Sequence, residues 1–373
     1  MRYFLIAGDP SGDQHGARLV TALREKDPHA EFVFFGGEWM QKTLRKAPVV
    51  SLEQLAFMGF TQLLSHLRQI RDNFRLARKT LRSFQPDAFI LIDYAGFNLR
   101  MAKWAYYHGF KCFFYISPKV WAWRKNRSKL LKKYCEKVLC ILPFEPDFLH
   151  SFKVNAVYTG NPVVEEITPW LHTDRNKTLK DLGLENRPMV ALLPGSRDQE
   201  IRAALPIMAQ MQSFYPEYQF VVAGHQRFPD DYYQRILHNT RIPVKRDVTQ
   251  ELLSVARAAL VTSGTATLEV AWHQVPQVVC YRTYPLSYWI ARWLIRVKYI
   301  SLVNLIADKK VVTELIQKEF NAKRLRETLA DVLHNEDTKQ QIEEGYRIVK
   351  SRVGTQISSR QTARYIFESL SSG

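Results

Sequence analysis

Cysteine is scarce in this sequence, and its pattern excludes the common metal and disulfide motifs. The 373 residues include four cysteines, Cys112, Cys135, Cys140 and Cys280, and no Cys-x-x-Cys pair. No two histidines stand four residues apart, which is the spacing that a helical zinc site would use. An Asp-x-Asp motif is also absent. We therefore expect reduced, buried thiols, no metal and no other cofactor.

Long apolar runs are missing as well, which argues against a membrane-spanning helix. The longest charge-free stretches, Gln54–Leu67 and Ala203–Pro216, have 14 residues, whereas a span needs ~20 apolar residues. The short apolar stretch Tyr3–Ala7 runs into Gly8-Asp9, which predicts a first β-strand and not a signal peptide. We expect a cytoplasmic chain that is free to lie on a membrane without crossing it.

Acidic residues are rare in three segments, which together explain most of the net charge of +17. Leu63–Phe84 has six Lys/Arg and one Asp, Lys119–Lys137 has eight and one Glu, and Arg282–Lys298 has four and no acid. The rest of the chain is nearly neutral. A patterned excess of this kind indicates an anionic partner, which is a nucleic acid, a phosphate-bearing substrate or an anionic membrane.

Short apolar runs alternate with helical stretches, which predicts an α/β fold. Continuous apolar runs are typical of parallel strands that are covered on both faces, and two series of them predict two doubly wound, Rossmann-like domains. We predict domains at 1–165 and 166–345, with helices at 346–373 that return to the first domain. The predicted strands are Arg2–Ala7, Glu31–Phe35, Ala88–Ile92, Lys111–Ile116, Val138–Leu142, Met189–Leu193, Gln219–Ala223, Ala259–Thr262 and Val278–Tyr281.

Two features of the first domain carry candidate chemistry. Ser11, Gly12 and Asp13 lie between the first strand and a helix predicted to start near His15, where glycine and a helix N-terminus favour an anion. Asp93 follows an apolar strand, which suits a general base at the carboxyl end of a sheet. The alternative is that Asp93 only caps the helix that begins near Asn98.

The second domain has two strand–helix turns at which backbone N–H groups are available to phosphates. One contains Gly195, Ser196 and Arg197, and the arginine can fork onto a phosphate. The other contains Ser263, Gly264 and Thr265. Glu269 lies one helical turn after Thr265, where it could accept hydrogen bonds from a ribose. The alternative is two ordinary turns and a surface arginine.

Two segments have the composition of a membrane-contacting surface. Leu63 to Phe84 repeats apolar residues at alternating spacings of 4 and 3 beside a basic stripe, which predicts a basic amphipathic helix. The alternative for this helix is a stripe packed on its own sheet, which is favoured more for the residues after Ile70 than for Met58–Leu67. Tyr284–Tyr299 mixes aromatic and basic residues.

A third basic region, Ser117–Lys133, suits RNA, a sugar phosphate or lipid headgroups equally.

These motifs, in this order, resemble the lipid-A-disaccharide synthase family, glycosyltransferase family 19. The resemblance covers nearly the whole chain, and the Trp-Ala-Trp segment together with Leu-Pro-Gly-Ser-Arg is highly specific. The matching pieces are Ala7–Asp13, Ala56–Gly59, Ile92-Asp93 with Phe97-Asn98, Ser117-Pro118 with Val120–Arg124, Leu142–Glu145, Gly160–Pro162, Leu192–Arg197, Ser263–Ala266 with Leu268-Glu269, Tyr281-Arg282, and Ser301-Leu302 with Asn304-Leu305.

The resemblance implies a GT-B fold, with two Rossmann-like domains facing a central cleft, and an inverting, metal-independent hexosyltransferase of lipid A biosynthesis in a Gram-negative bacterium. UDP-2,3-diacylglucosamine would donate its sugar to 2,3-diacylglucosamine 1-phosphate, giving lipid A disaccharide 1-phosphate and UDP. The protein would lie peripherally on the cytoplasmic face of the inner membrane, as a homodimer with exchanged C-terminal helices, and would bind no nucleic acid.

The resemblance also implies a role for each candidate residue. Asp93 would be the base on the acceptor 6-hydroxyl, and Arg197, Thr265, Glu269 and Asn304 would hold UDP. The bilayer and the acyl chains would contact Met58, Phe60, Leu63, Leu64 and Leu67.

The sequence departs from the family pattern at three places, namely Asp9-Pro10, Ala95-Gly96 and Lys119. The departures leave the proposed roles intact but bear on acceptor contacts and acyl-chain preference. The open alternatives are another GT-B enzyme that uses a UDP-sugar, such as a lipid-linked cell-wall glycosyltransferase or a UDP-sugar 2-epimerase, and a non-enzymatic nucleic-acid-binding protein.

Overall fold

A computed structural model of the chain describes residues 1–55, 63–123, 125–170, 173–238, 240–283 and 298–371, with the side chains of 63–67 also left undescribed. Contacts within the described residues divide the chain into two compact units, Met1–Pro162 with Thr355–Gly373, and Val163–Gly354. Each unit is built around one parallel β-sheet.

In the first unit, apolar strands alternate with helices. The strands are β1 Arg2–Ala7, β2 Glu31–Gly36, β3 Val50–Ser51, β4 Ala88–Ile92, β5 Cys112–Tyr115, β6 Lys137–Cys140 and β7 Ala156–Tyr158. The helices are α1 Pro10–Lys26, α2 Glu38–Leu44, α3 Leu52–Leu55, α4 Leu63–Phe84, α5 Ala95–Tyr106, α6 Arg127–Tyr134 and α7 Glu145–His150. Helix α8 Pro162–Ile167 begins at the last residue of the segment Met1–Pro162 and otherwise belongs to the second unit.

The strand order in this sheet is β3-β2-β1-β4-β5-β6-β7, and every pair is parallel. Each face of the sheet is covered by its own apolar cluster. One cluster contains residues of α4, α5 and α6, and the other contains residues of α1 and α2. Burial on both faces explains why β1 and β4 are continuous apolar runs and not alternating ones.

The second unit repeats this plan. Its strands are β8 Met189–Leu193, β9 Gln219–Gly224, β10 Val244–Arg246, β11 Ala258–Thr262, β12 Gln277–Tyr281 and β13 Thr313–Ile316. Its helices are α9 Arg175–Asp181, α10 Asp198–Ala209, α11 Met211–Phe214, α12 Asp230–Leu237, α13 Thr249–Val255, α14 Ala266–Trp272, α15 Leu302–Ala307, α16 Ala322–His334 and α17 Glu336–Val353, with a 3-10 turn at Thr168–Trp170. The parallel sheet has the order β10-β9-β8-β11-β12-β13.

One C-terminal helix, α18 Ser358–Ser371, belongs to the first unit. It packs on α1, and the hydroxyl groups of Ser358 and Tyr115 lie 3.1 Å apart. This C-terminal segment therefore groups with the first unit. The return begins at Thr355 and not at 346, because α17 is continuous to Val353 and packs on α15 in the second unit.

The apolar stripe of α4 after Ile70 packs on its own sheet. Ala77 and Leu81 are fully buried, and Phe74 and Phe84 pack partly buried against the same cluster. The alternative to membrane contact is thus correct for this part of the helix. Met58 and Phe60 lie outside the described residues, as do the side chains of Leu63, Leu64 and Leu67 and nearly all of the segment Tyr284–Tyr299.

Candidate functional site

Each sheet has one point at which the chain reverses its direction of winding. In the first unit this point lies between β1 and β4, and in the second it lies between β8 and β11. At such a point the two following loops turn away on opposite faces of the sheet and leave a crevice at the carboxyl ends of the strands, where open α/β sheets bind ligands. The four loops concerned contain most of the candidate residues.

Asp93 occupies the turn after β4 in an unusual backbone conformation. Its φ is 44° and that of Tyr94 is 46°, and left-handed conformations of this kind are costly for residues with a Cβ. The buried amide of Asn98 holds the turn by donating hydrogen bonds to the carbonyl oxygens of Asp93 at 2.8 Å and Ile92 at 3.2 Å. Asp93 is not the N-cap of α5, because Tyr94 takes that position and Ala95 begins the helix. The carboxyl group of Asp93 is therefore not used to cap this helix.

The surroundings of Asp93 change its acidity. Burial, assisted by the negative charge of Asp9, raises the pKa of Asp93 to about 6, although Lys119 and the backbone N–H of Tyr94 act in the opposite direction. A carboxyl group with this pKa is mostly ionised at neutral pH and is also a stronger base than an exposed aspartate. The group therefore has the properties that a general base needs.

The loop after β1 is shorter than the sequence suggests. Helix α1 begins at Pro10 and not near His15, because Asp9 is its N-cap and accepts a 2.6 Å hydrogen bond from the N–H of Gly12. Ser11 is exposed, and its hydroxyl lies 3.1 Å from Nε2 of His15. Ser11 and Gly12 therefore belong to the first turn of a helix at the winding reversal, where an anion is favoured.

Asp13 has a structural role that could not be predicted from the sequence. Its side chain is 1% exposed, and its carboxylate accepts hydrogen bonds from the N–H groups of Gly37 at 2.7 Å and Trp39 at 2.9 Å. These groups lie at the start of α2, so Asp13 ties α1 to α2. The carboxylate is occupied by backbone donors, and the predicted role of Asp13 in a phosphate loop has no support from this geometry.

Glu145 is a buried acid that supports the neighbouring loop. In the sequence it stands out only as the last residue of the segment Leu142–Glu145. Its carboxylate accepts hydrogen bonds from the indole N–H of Trp121 and from the N–H of Leu142, both at 3.1 Å. Burial raises the pKa of Glu145 to about 7, while these donors lower it in part. The signal in the sequence was a glutamate three residues after the predicted strand Val138–Leu142, which is weaker than the signal that identified Asp93, the residue directly after its strand.

In the second unit, the turn after β8 is formed as predicted. Gly195 has a φ of 104°, a region that glycine enters without cost. Glu200 accepts a hydrogen bond from the N–H of Ser196 at 3.3 Å and pairs with the Arg197 guanidinium at 2.9 Å. The Arg197 side chain is 79% exposed, and exposed pairs contribute only ~0–1 kcal/mol. A phosphate can therefore replace Glu200 at little cost.

The turn after β11 presents open backbone. A Cβ built on Gly264 would meet nothing within 4 Å, and both Gly264 and Thr265 are exposed. Ser263 is engaged differently, since its hydroxyl donates to the carbonyl oxygen of Ile300 at 2.8 Å. The structure thus leaves Gly264 and Thr265 free to approach a ligand and uses Ser263 to hold a neighbouring turn.

Glu269 lies one turn into α14 and is bound by Gln250, whose amide donates to it at 2.7 Å. Gln250 is held in turn by His273 at 2.8 Å. Burial, and next the charge of Glu166, raise the pKa of Glu269 to about 7. A carboxyl group in this state can accept hydrogen bonds from hydroxyl groups without carrying a full buried charge.

Asn304 is fully buried, and its amide is saturated by other groups. Its oxygen accepts hydrogen bonds from the N–H groups of Val311 at 2.8 Å and Val312 at 2.9 Å. Its nitrogen donates at 2.9 Å to the carbonyl oxygen of Val312 and to Glu314. Because the side chain has no donor or acceptor left over, Asn304 holds a loop in this structure, and the expected contact with UDP has no free group to make it.

Among the described residues, no group of three His, Cys, Asp or Glu side chains is placed to hold a metal ion. In the same part of the chain, no helix is long and apolar enough to cross a membrane.

Solved structures with a similar fold include two that are named as UDP-N-acetylglucosamine 2-epimerases. A UDP-GlcNAc 2-epimerase from Neisseria meningitidis matches with a TM-score of 0.61 at 14% identity, covering 100% of both chains. A putative UDP-N-acetylglucosamine 2-epimerase from Listeria monocytogenes matches with a TM-score of 0.67 at 12% identity, covering 98% of this chain and 94% of the other. The fold is therefore GT-B, with two Rossmann-like units.

Relatives in sequence identify the family within this fold class. Lipid-A-disaccharide synthases from Coxiella burnetii and Geobacter sulfurreducens are 35% and 33% identical, over 91% and 99% of this chain and 90% and 97% of their own lengths. A family model described as lipid-A-disaccharide synthetase matches residues 3–368. The chain belongs to this family. It is a glycosyltransferase, and its substrates are sugar precursors of lipid A.

Proposed function

We propose that the chain transfers diacylglucosamine from UDP-2,3-diacylglucosamine to the 6-hydroxyl of 2,3-diacylglucosamine 1-phosphate. The products are lipid A disaccharide 1-phosphate, joined by a β-1,6 bond, and UDP. Family membership over nearly the whole chain supports this reaction. The single structural observation that carries the mechanism is the partly buried carboxyl group of Asp93 at the winding reversal of the first sheet.

Asp93 takes the proton from the acceptor 6-hydroxyl in this mechanism. The hydroxyl oxygen then forms a bond to the anomeric carbon of the donor, and the bond from that carbon to UDP breaks, with the electron pair leaving on the phosphate. A single displacement of this kind inverts the anomeric configuration and needs one base and no covalent nucleophile. The raised pKa of Asp93 suits the step, since the carboxylate must accept a proton at neutral pH.

UDP is held in the second unit by the turns after β8 and β11. Arg197 and the N–H groups of Ser196, Gly264 and Thr265 neutralise the diphosphate as it leaves. Glu269 accepts hydrogen bonds from the ribose hydroxyls. Gly195 and Ser263 shape the two turns, and the leaving group is stabilised by cationic and backbone donors without a metal.

The test is UDP release from the diacylglucosamine donor in EDTA, with and without the monosaccharide 1-phosphate acceptor. We expect release that depends on the acceptor, together with a disaccharide product. Acceptor-independent conversion of the UDP-sugar would support the epimerase alternative, and binding of UDP without any turnover would indicate a different acceptor.

We also propose that the layer formed by α4, α5 and α6 binds an anionic membrane, which supplies both lipid substrates. All three helices cover one face of the first sheet. Their exposed charged residues include a single acid, Asp72. The exposed basic residues of the layer are Arg68, Arg71, Arg75, Arg78, Lys79, Arg82, Arg100, Lys103, Lys129, Lys132 and Lys133.

The opposite face of the same sheet is a natural control. Its helices α1, α2 and α18 carry basic residues that are paired with acids, as in Lys42–Glu38, Arg360–Glu25 and Arg364–Glu368. The basic layer also exposes Tyr106 (48%) and Tyr107 (59%). Aromatic residues beside cations are typical of the interface between water and lipid headgroups.

Binding to liposomes tests this surface. Replacing Lys79, Lys103 and Lys129 with glutamine removes three cations, each worth about 1 kcal/mol at an anionic surface, so the affinity should fall by roughly 100-fold. The matched control replaces Lys42, Arg360 and Arg364 and should bind normally. Equal binding by both variants would contradict the proposal, and RNA binding that depends on the same three lysines would favour the nucleic-acid alternative.

A peripheral position on the membrane follows from this proposal and is tested by the same liposomes, and its location on the cytoplasmic face of the inner membrane stays a proposal that family membership supports. The homodimer with exchanged C-terminal helices also stays a proposal. Light scattering on the purified protein measures the mass and separates a monomer from a dimer.

A further inference from the structure

The segments that follow four neighbouring strands of the first sheet each contain a charged residue within five positions of the strand end. Asp9 follows β1, Asp93 follows β4, Lys119 follows β5 and Glu145 follows β6. Since these strands are adjacent in the order β1-β4-β5-β6 and all are parallel, the four residues lie along one edge. The lysine is the only cation in this row of four, and it lies between Asp93 and Glu145.

The backbone around Lys119 is fixed. The N–H of Asp93 donates to the carbonyl oxygen of Tyr115 at 3.0 Å, which joins the two turns directly. Beyond Tyr115, the carbonyl oxygen of Lys119 accepts hydrogen bonds from the N–H groups of Ala122 at 3.2 Å and Trp123 at 3.3 Å. The residues on both sides of Lys119, Pro118 and Val120, are buried, whereas Lys119 itself is exposed.

Glu145 anchors the far end of this loop. It binds the indole of Trp121 at 3.1 Å, and the Trp121 ring packs edge-on against Phe144 at 5.0 Å. The loop is therefore held by contacts along its length, and the backbone of Lys119 is fixed in the loop that neighbours the turn of Asp93.

We propose that Lys119 is a positioning residue whose ammonium group keeps Asp93 in the carboxylate form that the transfer reaction requires. The inference rests on the proposed function of Asp93. Two acids, Asp93 and Asp9, follow the two strands at the winding reversal, and the charge of Asp9 opposes the ionisation of Asp93, as burial does. Without a cation at this edge, the pKa of Asp93 would rise toward neutral pH, so a smaller fraction of the group would be the carboxylate that acts as a base.

The charges that act on Asp93 agree with this arrangement. Burial and Asp9 raise the pKa of Asp93, and Lys119 lowers it more than the backbone N–H of Tyr94 does. The Tyr94 side chain also lies close, and burial raises the pKa of this phenol, so it stays neutral. Lys119 lowers the pKa of Glu145 as well, which means that the two acids share one cation.

The experiment is the pH dependence of kcat/KM for the wild type and three variants. In Lys119→Met, the acid limb should move toward higher pH by roughly 0.5–1 unit, which is a ~3–10-fold loss at low pH and little loss at pH 8. Lys119→Arg should restore the wild-type profile. Asp9→Asn keeps an oxygen to cap α1 but removes a negative charge, so its acid limb should move toward lower pH.

These opposite shifts are what a purely structural role would not produce. A Lys119→Met profile lowered by the same factor at every pH, or an unchanged one, would overturn the inference. An acid limb that moves the same way in Lys119→Met and Asp9→Asn would also overturn it. If the wild type shows no acceptor-dependent UDP release, the proposed function fails first, so the two failures are distinguishable.

Discussion

Asn304 and Arg197 give opposite predictions that separate structural residues from binding residues. In Asn304→Ala, the buried N–H groups of Val311 and Val312 and the carbonyl oxygen of Val312 lose their partners. An unsatisfied buried group costs ~1–3 kcal/mol, so we expect a loss of about 3–5 kcal/mol in the free energy of unfolding of the second unit. For a unit of this size that is a fall of roughly 10 °C in Tm.

Arg197→Ala should do the reverse. Its side chain is exposed and pairs only with Glu200 in the described residues, so Tm should stay within about 2 °C of wild type. The loss of a charge-assisted contact to the diphosphate should weaken UDP binding by roughly 10–100-fold.

The assay pairs calorimetric unfolding with UDP titration well below the lowest Tm. The Kd of UDP for Asn304→Ala should lie within about threefold of wild type at that temperature. The reasoning is refuted if Asn304→Ala keeps its Tm and loses UDP binding, because that result would restore the direct contact that family resemblance implies.

Three further changes have defined outcomes. In Gly8→Ala, the new methyl group would fall inside the ring of Tyr94, so the turn at Asp93 must shift; we expect reduced turnover with UDP binding intact, and normal turnover would show that the turn tolerates the shift. The raised pKa values of Glu145 and Glu269, about 7 each, mean that these two groups bind more protons in the folded chain than in the unfolded chain between about pH 4.5 and pH 7. Asp93 adds to this effect, while His15 and His273, whose pKa values burial lowers to about 4, offset part of it. The free energy of unfolding should therefore fall as pH rises through that window, and Glu269→Gln should flatten the fall; a steeper fall in the variant would contradict the sign. Trp121→Phe removes the indole N–H that donates to Glu145 and should raise the pKa of Glu145 further, which NMR titration of labelled glutamate would measure. An unchanged titration would show that this hydrogen bond does not affect the pKa of Glu145.

The strands that the sequence predicts are the interior ones. All nine predicted strands are present, and the four that were missed, β3, β7, β10 and β13, are the outermost strands of the two sheets. They have two to four residues and are only partly buried. An edge strand is covered less than a central one and does not form the apolar run that identifies a buried parallel strand.

The role of a candidate site residue could be predicted from the sequence where it depends on the position of the residue at the end of a strand. Asp93, Gly264 and Thr265 follow interior strands, and the sheet order alone brings them to a ligand-binding edge. The parts of Asp13 and Asn304 depend on contacts with residues 24 and 7 positions away. No local pattern states which distant N–H groups a buried polar side chain will meet, so their structural parts emerge only from the packed chain.

The most direct test of the central claim is acceptor-dependent UDP release by Asp93→Asn, measured at neutral pH beside UDP binding by the same protein. The variant keeps the size of the side chain and the turn that Asn98 holds, but it removes the base. The account predicts a ~10²–10⁴-fold loss of turnover with unchanged UDP affinity. Turnover within a few-fold of wild type would contradict the account and remove Asp93 from the mechanism.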